Sequence, residues 1–195
     1  MQTEFEITFT NINREDVISK IQALWWKCVQ SRTLMKRVAF KHPTSDDCFA
    51  RIRDEWNKIT CTYKDIRSWE LSIDSVKEIE CEVSDFESLR QIFVNMGVFQ
   101  KAYQETYRET WSIWDDIHFM IDEWPWLHPF IEIEWSSEWV VKDFAQKLGF
   151  DYGEWLFGAV GEIYYKELWI PRKYINSLEV ITFNNPPKYW QWAEK

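Results

Sequence analysis

Up to Trp135 apolar and charged positions mostly alternate, and three times the alternation gives way to helical spacing after a short turn. The first such unit is EFEITFTNINREDVISKIQAL, the second EIECEVSDFESLRQIFVNM and the third FIEIEWSSEWVVKDFAQKL. Period-two patterning predicts a strand, whereas apolar residues spaced three and four apart predict an amphipathic helix. In the second unit Phe86, Leu89, Ile92, Phe93 and Met96 make the apolar stripe, Ser84 and Glu87 have capping-box spacing, and Gly97 stops the helix. In the third, Ser136 or Ser137 is the expected cap, Val140, Val141, Phe144 and Leu148 are the stripe, and Gly149 is the stop. In the first, Asn13 caps and Val17, Ile18, Ile21 and Leu24 form the stripe, but the stop position holds Trp25.

Between these units LMKRVAF, CFARIRDEW, KITCTYK, YQETYRETWSI and IHFMIDEW combine β-branched or aromatic residues with alternating charge. Together with the three glutamate-bearing strands this makes about eight, enough to close a barrel. For any one strand a charged face is explained as its wet side. Across the set, however, the charges are paired by type, as Glu-x-Glu or Arg-x-Arg, and solvation does not require that. A closed sheet with a charged interior does.

The chain of 195 residues is expected to form one domain over 1–183, with an irregular tail over 184–195 that starts around Pro186-Pro187. A formal charge of -9 argues against a nucleic-acid polymer as partner, because phosphate backbone demands a positive field. No basic leader and no long apolar run is visible, so neither a signal peptide nor a membrane span is expected, and the protein reads as cytoplasmic. Cys28, Cys48, Cys61 and Cys81 lack metal or redox spacing and are expected to be reduced thiols. His42, His118 and His128 have no ligand spacing and read as turn or surface residues.

A charged interior implies a charged guest. Arg51 and Arg53 share one strand face, Lys64 ends the next strand, and Lys36, Arg37 and Arg108 add cations on neighbouring strands. Guanidinium forks match phosphate oxygens and lysine supplies a point charge, so a polyphosphate anion is the natural ligand. Glu4 and Glu6 share a face in EFEITF and would repel unless a cation lay between them; carboxylates beside phosphate suit Mg²⁺ or Mn²⁺.

These segments resemble the CYTH family, named for class IV adenylate cyclases and thiamine triphosphatases and also called triphosphate tunnel metalloenzymes. The resemblance runs through EFEITF, ARIRDE, ITCTYK, EIECEVSDFESL, YRETW and IDEWPWLHPFIEIEWSSE to AQKLGFD, nearly the whole chain. It implies an α+β fold, an antiparallel eight-stranded barrel with helices packed outside, and a tunnel that binds a small molecule bearing a triphosphate. It also implies a monomer or homodimer that uses Mg²⁺ or Mn²⁺ either to hydrolyse the triphosphate or to cyclise ATP to cyclic AMP. Carried over position by position, Glu4, Glu6, Glu80, Glu132 and Glu134 would face metal. Lys36, Arg37, Arg51, Arg53, Lys64 and Arg108 would grip phosphate, and Glu6, Asp122 and Glu134 would serve the chemistry. Among Glu78, Glu80 and Glu82, which share a face, Glu80 is the choice.

Two features depart from the family pattern. Its Glu-x-Glu-x-Lys signature is met at Glu4 and Glu6 but broken at Thr8, a neutral donor in place of a cation, which leaves room for a binding tunnel without turnover and for Lys36 as a substitute charge. The composition is also inverted, with 14 Trp against 5 Gly where glycine alone averages about 7%. Trp25 or Trp26, Trp56, Trp114, Trp135 and Trp169 stand where turns or helix stops call for glycine, a pattern that results when UGA means glycine but is read as tryptophan. Trp124 and Trp126 match the family's own usage.

Overall fold

The computed structural model describes residues 1–66, 76–113, 117–135, 137–151, 153–156 and 159–188. Eight antiparallel strands are formed: β1 (Gln2–Phe9), β2 (Lys27–Lys41), β3 (Cys48–Asp54), β4 (Ile59–Asp65), β5 (Val76–Val83), β6 (Gln100–Ile113), β7 (Ile117–Glu123) and β8 (Phe130–Trp135). They run side by side in the order β2-β3-β4-β5-β1-β8-β7-β6, and β2 pairs with β6 to close the ring. A two-residue β9 (Val180–Ile181) adds in parallel to β6. The sequence-based barrel is therefore the observed one. The strand β2 runs well beyond the seven-residue segment that the alternation marked, and β6 starts three residues before its segment.

Three helices follow strands as the repeated units predict: α1 (Arg14–Ala23) after β1, α2 (Phe86–Asn95) after β5 and α3 (Glu138–Lys147) after β8. Asn13 caps α1 by accepting from the Asp16 amide at 3.1 Å. The cap of α2 is Asp85, which accepts from the Ser88 amide at 2.6 Å, one residue later than the capping-box reading; Ser137 begins α3. Two further helices, α4 (Gly161–Leu168) and α5 (Arg172–Ser177), had no clear signature in the pattern. Among the described residues no helix is long and apolar enough to cross a membrane, and all four cysteines are unpaired.

The apolar core lies outside the ring. Ile7, Phe9, Ile131, Ile133 and Phe119 face outward from β1, β8 and β7 onto Val17 and Ile21 of α1 and Val141 and Ala145 of α3. Val38, Phe40 and Ile52 face outward from β2 and β3 onto Phe86, Leu89 and Phe93 of α2, with the Phe40 and Phe93 rings 5.0 Å apart. A third cluster joins Trp124 and Phe130 to Ile163, Tyr164 and Ile175 of α4 and α5. Strand alternation then turns the partner residues of these apolar rows inward.

Among the described residues four tryptophans have left-handed backbone: Trp25 at φ 66°, Trp56 at 74°, Trp126 at 69° and Trp169 at 56°. Three of these are positions that the sequence marks as glycine slots; Trp126 is a correction, since family usage had excused it. Two others are corrected in the opposite sense. Trp26 has no positive φ and is buried against Phe119, ring centroids 4.0 Å apart, and Trp135 is an ordinary strand residue opposite Phe5. Trp114 lies outside the described residues, as do 189–195 of the expected tail.

Phe40 is fully buried between the barrel wall and α2. Phe40→Ala is expected to lower unfolding free energy by about 3–5 kcal/mol, read from the urea midpoint.

Candidate functional site

The inward rows enclose a cavity of about 1240 Å³. Its lining is divided by charge. Four neighbouring strands, β6, β2, β3 and β4, present Arg108, Arg37, Arg51, Arg53 and Lys64; the other four, β5, β1, β8 and β7, present Glu78, Glu80, Glu6, Glu132, Glu134 and Asp122. Pairing puts like with like inside each half. Arg37 lies directly opposite Arg53, and Glu6 directly opposite Glu134, an arrangement that destabilises an empty sheet.

Opposite charges meet where the halves join. At the β4–β5 seam Lys64 Nζ is 3.1 Å from Glu78, Arg51 is 3.9 Å from Glu80, and the Thr62 hydroxyl donates to Glu80 at 2.7 Å. At the β6–β7 seam Arg108 makes a two-armed bond to Asp122, at 2.6 and 2.5 Å, and its Nη2 also donates to Glu132 at 2.6 Å. Arg53 is held by Glu55, Nε to Oε1 2.7 Å, in the turn after β3.

Ionisation follows this geography. Burial lowers Arg37 well below the usual arginine range, and Arg51 and Arg53 push it the same way. Arg51 is lowered by burial and by Arg53 to about 10, so it remains a cation at neutral pH but is less favoured as one than a solvated arginine. Arg108, at the seam, is also opposed by burial, but Asp122 and Glu132 outweigh it and raise its pKa well above normal. Glu132 is pushed up by burial and by Asp122 against the pull of Arg108. The Nε atoms of Arg37 and Arg51 are buried with no hydrogen-bond partner among the described residues. Arg37 instead stacks on Trp124, its guanidinium 4.0 Å from the ring centroid.

Of the residues singled out in the sequence, Arg37, Arg51, Arg53, Lys64, Arg108, Glu6, Glu80, Asp122, Glu132 and Glu134 all line the one cavity. Lys36 does not: it is exposed on the outer face of β2, one residue out of phase, so it can neither grip a phosphate in the tunnel nor replace a cation at Thr8. Glu4 lies in β1 opposite Val76, and its side chain is outside the described residues. Thr8 is buried at 3% exposure, pairs with Glu132 on one side and forms a two-way backbone bridge with Leu156 on the other, 3.1 and 2.9 Å.

Several lining residues escaped the sequence. Glu55 was two residues past Arg53 on the same face and could have been found by that spacing. His118 is a wall residue of β7 opposite Glu134, a correction to its reading as a surface or turn residue. Lys173 and Asn176 come from α5 near one end of the cavity, and no motif marked them.

Among the described residues no three His, Cys, Asp or Glu side chains converge as a ready-made metal cage. The acidic half nevertheless offers mainly carboxylate oxygen, the donor type that Mg²⁺ and Mn²⁺ take, usually completed by water and substrate phosphate.

Sequence comparison finds neither a matching family profile nor a matching curated protein. Comparison of folds does. The protein PH1012 from Pyrococcus horikoshii is similar with a TM-score of 0.67 at 24% identity, covering 82% of this chain and 98% of that one. A proposed adenylate cyclase from Vibrio parahaemolyticus gives 0.71 at 12% identity, over 83% and 97% of the two chains. HpAC1 from Hippeastrum, a proposed adenylyl cyclase with a dominant triphosphatase activity, gives 0.53 at 14% identity, over 89% and 99%. The fold is that of CYTH proteins, a curled antiparallel tunnel.

Arg108→Met would leave Asp122 and Glu132 close together without their cation, at an expected cost of about 3–5 kcal/mol at pH 7. The sign with pH is fixed: uncompensated buried carboxyls have folded pKa values above their unfolded ones, so the deficit is largest at high pH and shrinks as pH falls. Urea unfolding of variant and parent at pH 8 and pH 5 measures it.

Proposed function

We propose that the tunnel binds the triphosphate of a small molecule and that the protein hydrolyses one of its phosphoanhydride bonds. The observation that carries this reading is the convergence of Arg37, Arg51, Arg53, Lys64 and Arg108 in one cavity opposite a carboxylate wall. Arg37 and Arg51, which burial and the neighbouring guanidiniums disfavour as cations, would be stabilised by a guest with three or four negative charges. The carboxylate half offers oxygen donors that would hold a divalent cation.

Glu6, Glu132 and Glu134, with Glu80 on β5 and Glu4 two residues before Glu6, are the residues that would hold Mg²⁺ or Mn²⁺. Bound there, it would supply neutralisation of phosphate oxygens and polarisation of the phosphorus toward attack. The remaining work falls to the chain. Arg37, Arg51, Arg53 and Lys64 orient the non-bridging oxygens and stabilise charge that develops on them in an in-line displacement. Glu6 or Glu134 takes the proton of the attacking water. Asp122 has both oxygens engaged by Arg108, so its role is to position that guanidinium rather than to accept a proton. Arg108, bonded to Glu132 opposite Thr8, supplies a cation close to the position where the family pattern has lysine.

Hydrolysis is favoured over cyclisation because water needs no nucleobase pocket. Thr8 favours a second reading, a tunnel that binds polyphosphate without turning it over. The test incubates the protein with inorganic triphosphate, thiamine triphosphate and ATP, each with Mg²⁺ or Mn²⁺, and resolves orthophosphate, pyrophosphate and cyclic AMP. Orthophosphate is the expected product, lowered about 10²-fold or more in Glu134→Gln. Pyrophosphate with cyclic AMP would establish the cyclase. Tight binding with no product from folded protein would establish the binding tunnel.

Binding is separable from turnover. Arg51→Ala is expected to weaken binding of inorganic triphosphate by about 1.5–3 kcal/mol, the worth of a charged hydrogen bond, as measured by calorimetry without metal.

A further inference from the structure

We infer that residues 25, 56, 126 and 169 are glycines in the native polypeptide, encoded by a UGA codon that its translation system decodes as glycine. The inference rests on backbone geometry and stands apart from the proposed activity. Each of the four occupies a glycine-requiring slot in a different, recognisable turn.

Trp25 follows α1. Its amide donates to Gln22 O at 3.0 Å and the next amide, Trp26, to Ile21 O at 3.4 Å, which is the bond pair of a Schellman cap. The same pair closes α2, where Gly97 donates to Val94 and Val98 to Phe93, and α3, where Gly149 donates to Gln146 and Phe150 to Ala145. In all three the residue after the cap is left-handed, at 66°, 82° and 80°, and in α2 and α3 it is glycine. An apolar residue comes next each time, Trp26, Val98 or Phe150, so Trp26 fills the hydrophobic slot of the motif as a tryptophan should.

Trp56 and Asn57 form the two-residue loop of the β3–β4 hairpin, flanked by Glu55, whose amide donates to Lys58 O at 2.9 Å. Positive φ occurs at the first loop residue and not the second, as in a type II′ turn, whose first central position takes glycine. Trp126 is the third residue of the turn Trp124-Pro125-Trp126-Leu127, closed by Leu127 N to Trp124 O at 3.1 Å. Proline second and positive φ third define a type II turn, where glycine is required third. Trp169 ends α4 in the left-handed conformation, its amide donating to Tyr165 O at 3.0 Å, with the buried Ile170 after it.

At three of these positions the ring lies mostly in solvent. Trp25 is 88% exposed, Trp56 86%, Trp169 75% and Trp126 44%, and the ring contact of Trp169 is to Tyr165 in the preceding turn of the same helix. The contrast lies within the same chain. Trp26, Trp111 and Trp124 are 4 to 6% exposed, none has positive φ, and each makes a specific contact: with Phe119, with Glu109 through its indole N–H at 2.8 Å, and with Arg37. Those three are placed by packing, whereas the four left-handed tryptophans stand where the turn geometry calls for glycine.

The gene decides the assignment. Codons 25, 56, 126 and 169 are expected to be TGA while 26, 111 and 124 are TGG; TGG at the four left-handed positions overturns the inference. A protein-level test is independent of the codon. The fourfold variant Trp25→Gly, Trp56→Gly, Trp126→Gly, Trp169→Gly is expected to raise the folding equilibrium constant about fivefold per site, seen as a higher urea midpoint. Trp124→Gly in the same background is expected to lower it. A fourfold variant no more stable than its parent would overturn the structural half of the inference.

Discussion

Arginine opposite arginine and glutamate opposite glutamate repel across neighbouring strands, and the barrel nevertheless sets Arg37 opposite Arg53 and Glu6 opposite Glu134 in its interior. The constraint is met by sorting. Cations occupy β6, β2, β3 and β4, carboxylates occupy β5, β1, β8 and β7, and the two halves are joined by Lys64–Glu78, Arg51–Glu80 and Arg108–Asp122 at the seams. At the seams Lys64 and Arg108 are held by carboxylates, whereas Arg37, in the middle of the cationic half, stacks on an aromatic face and is repelled by Arg51 and Arg53 more than Asp122 attracts it. The site is least satisfied where an anion would stabilise it most.

A charged interior cannot also be the core, so the fold obtains its cohesion elsewhere. Apolar rows on the outer strand faces bury against α1 and α3 on one side and α2 on another, while α4 and α5 seal the end where Trp124 and Phe130 turn inward. Burial of this kind contributes about 25 cal/mol per Å² and is indifferent to what lines the tunnel. The division allows strain inside to coexist with a stable shell. It also makes helix placement and site geometry one problem, because the residue that packs on a helix sets the phase of its inward neighbour.

Phase explains what could be read from the sequence. In Glu6, Arg51, Arg53, Glu132 and Glu134 the charged residue alternates with an unmistakable apolar one, so period two assigned their face without knowledge of the fold. Lys36-Arg37 offered two adjacent cations, and only the packing of Val38 and Phe40 beneath α2 shows that Arg37 is the inward one. His118 was judged by absence of ligand spacing, a test blind to its position on a cavity wall. Lys173 and Asn176 reach the cavity by tertiary arrangement of a short helix, for which local pattern carries no information.

The turn residues bear on the site through the same phase argument. The turn at Trp56 sets the register between β3, which carries Arg51 and Arg53, and β4, which carries Lys64. The turn at Trp126 lies between Asp122 on β7 and Glu132 on β8, the two carboxylates that hold Arg108. A residue forced into left-handed backbone there can relax by shifting the turn, and a one-residue slip of a strand reverses every side chain on it. In a barrel whose interior is sorted by charge such a slip would place apolar residues in the tunnel and bury charge against a helix. Register in this fold is therefore held by turn positions that need left-handed backbone as much as by the charged rows, and a glycine at each lets the strands settle where those rows match.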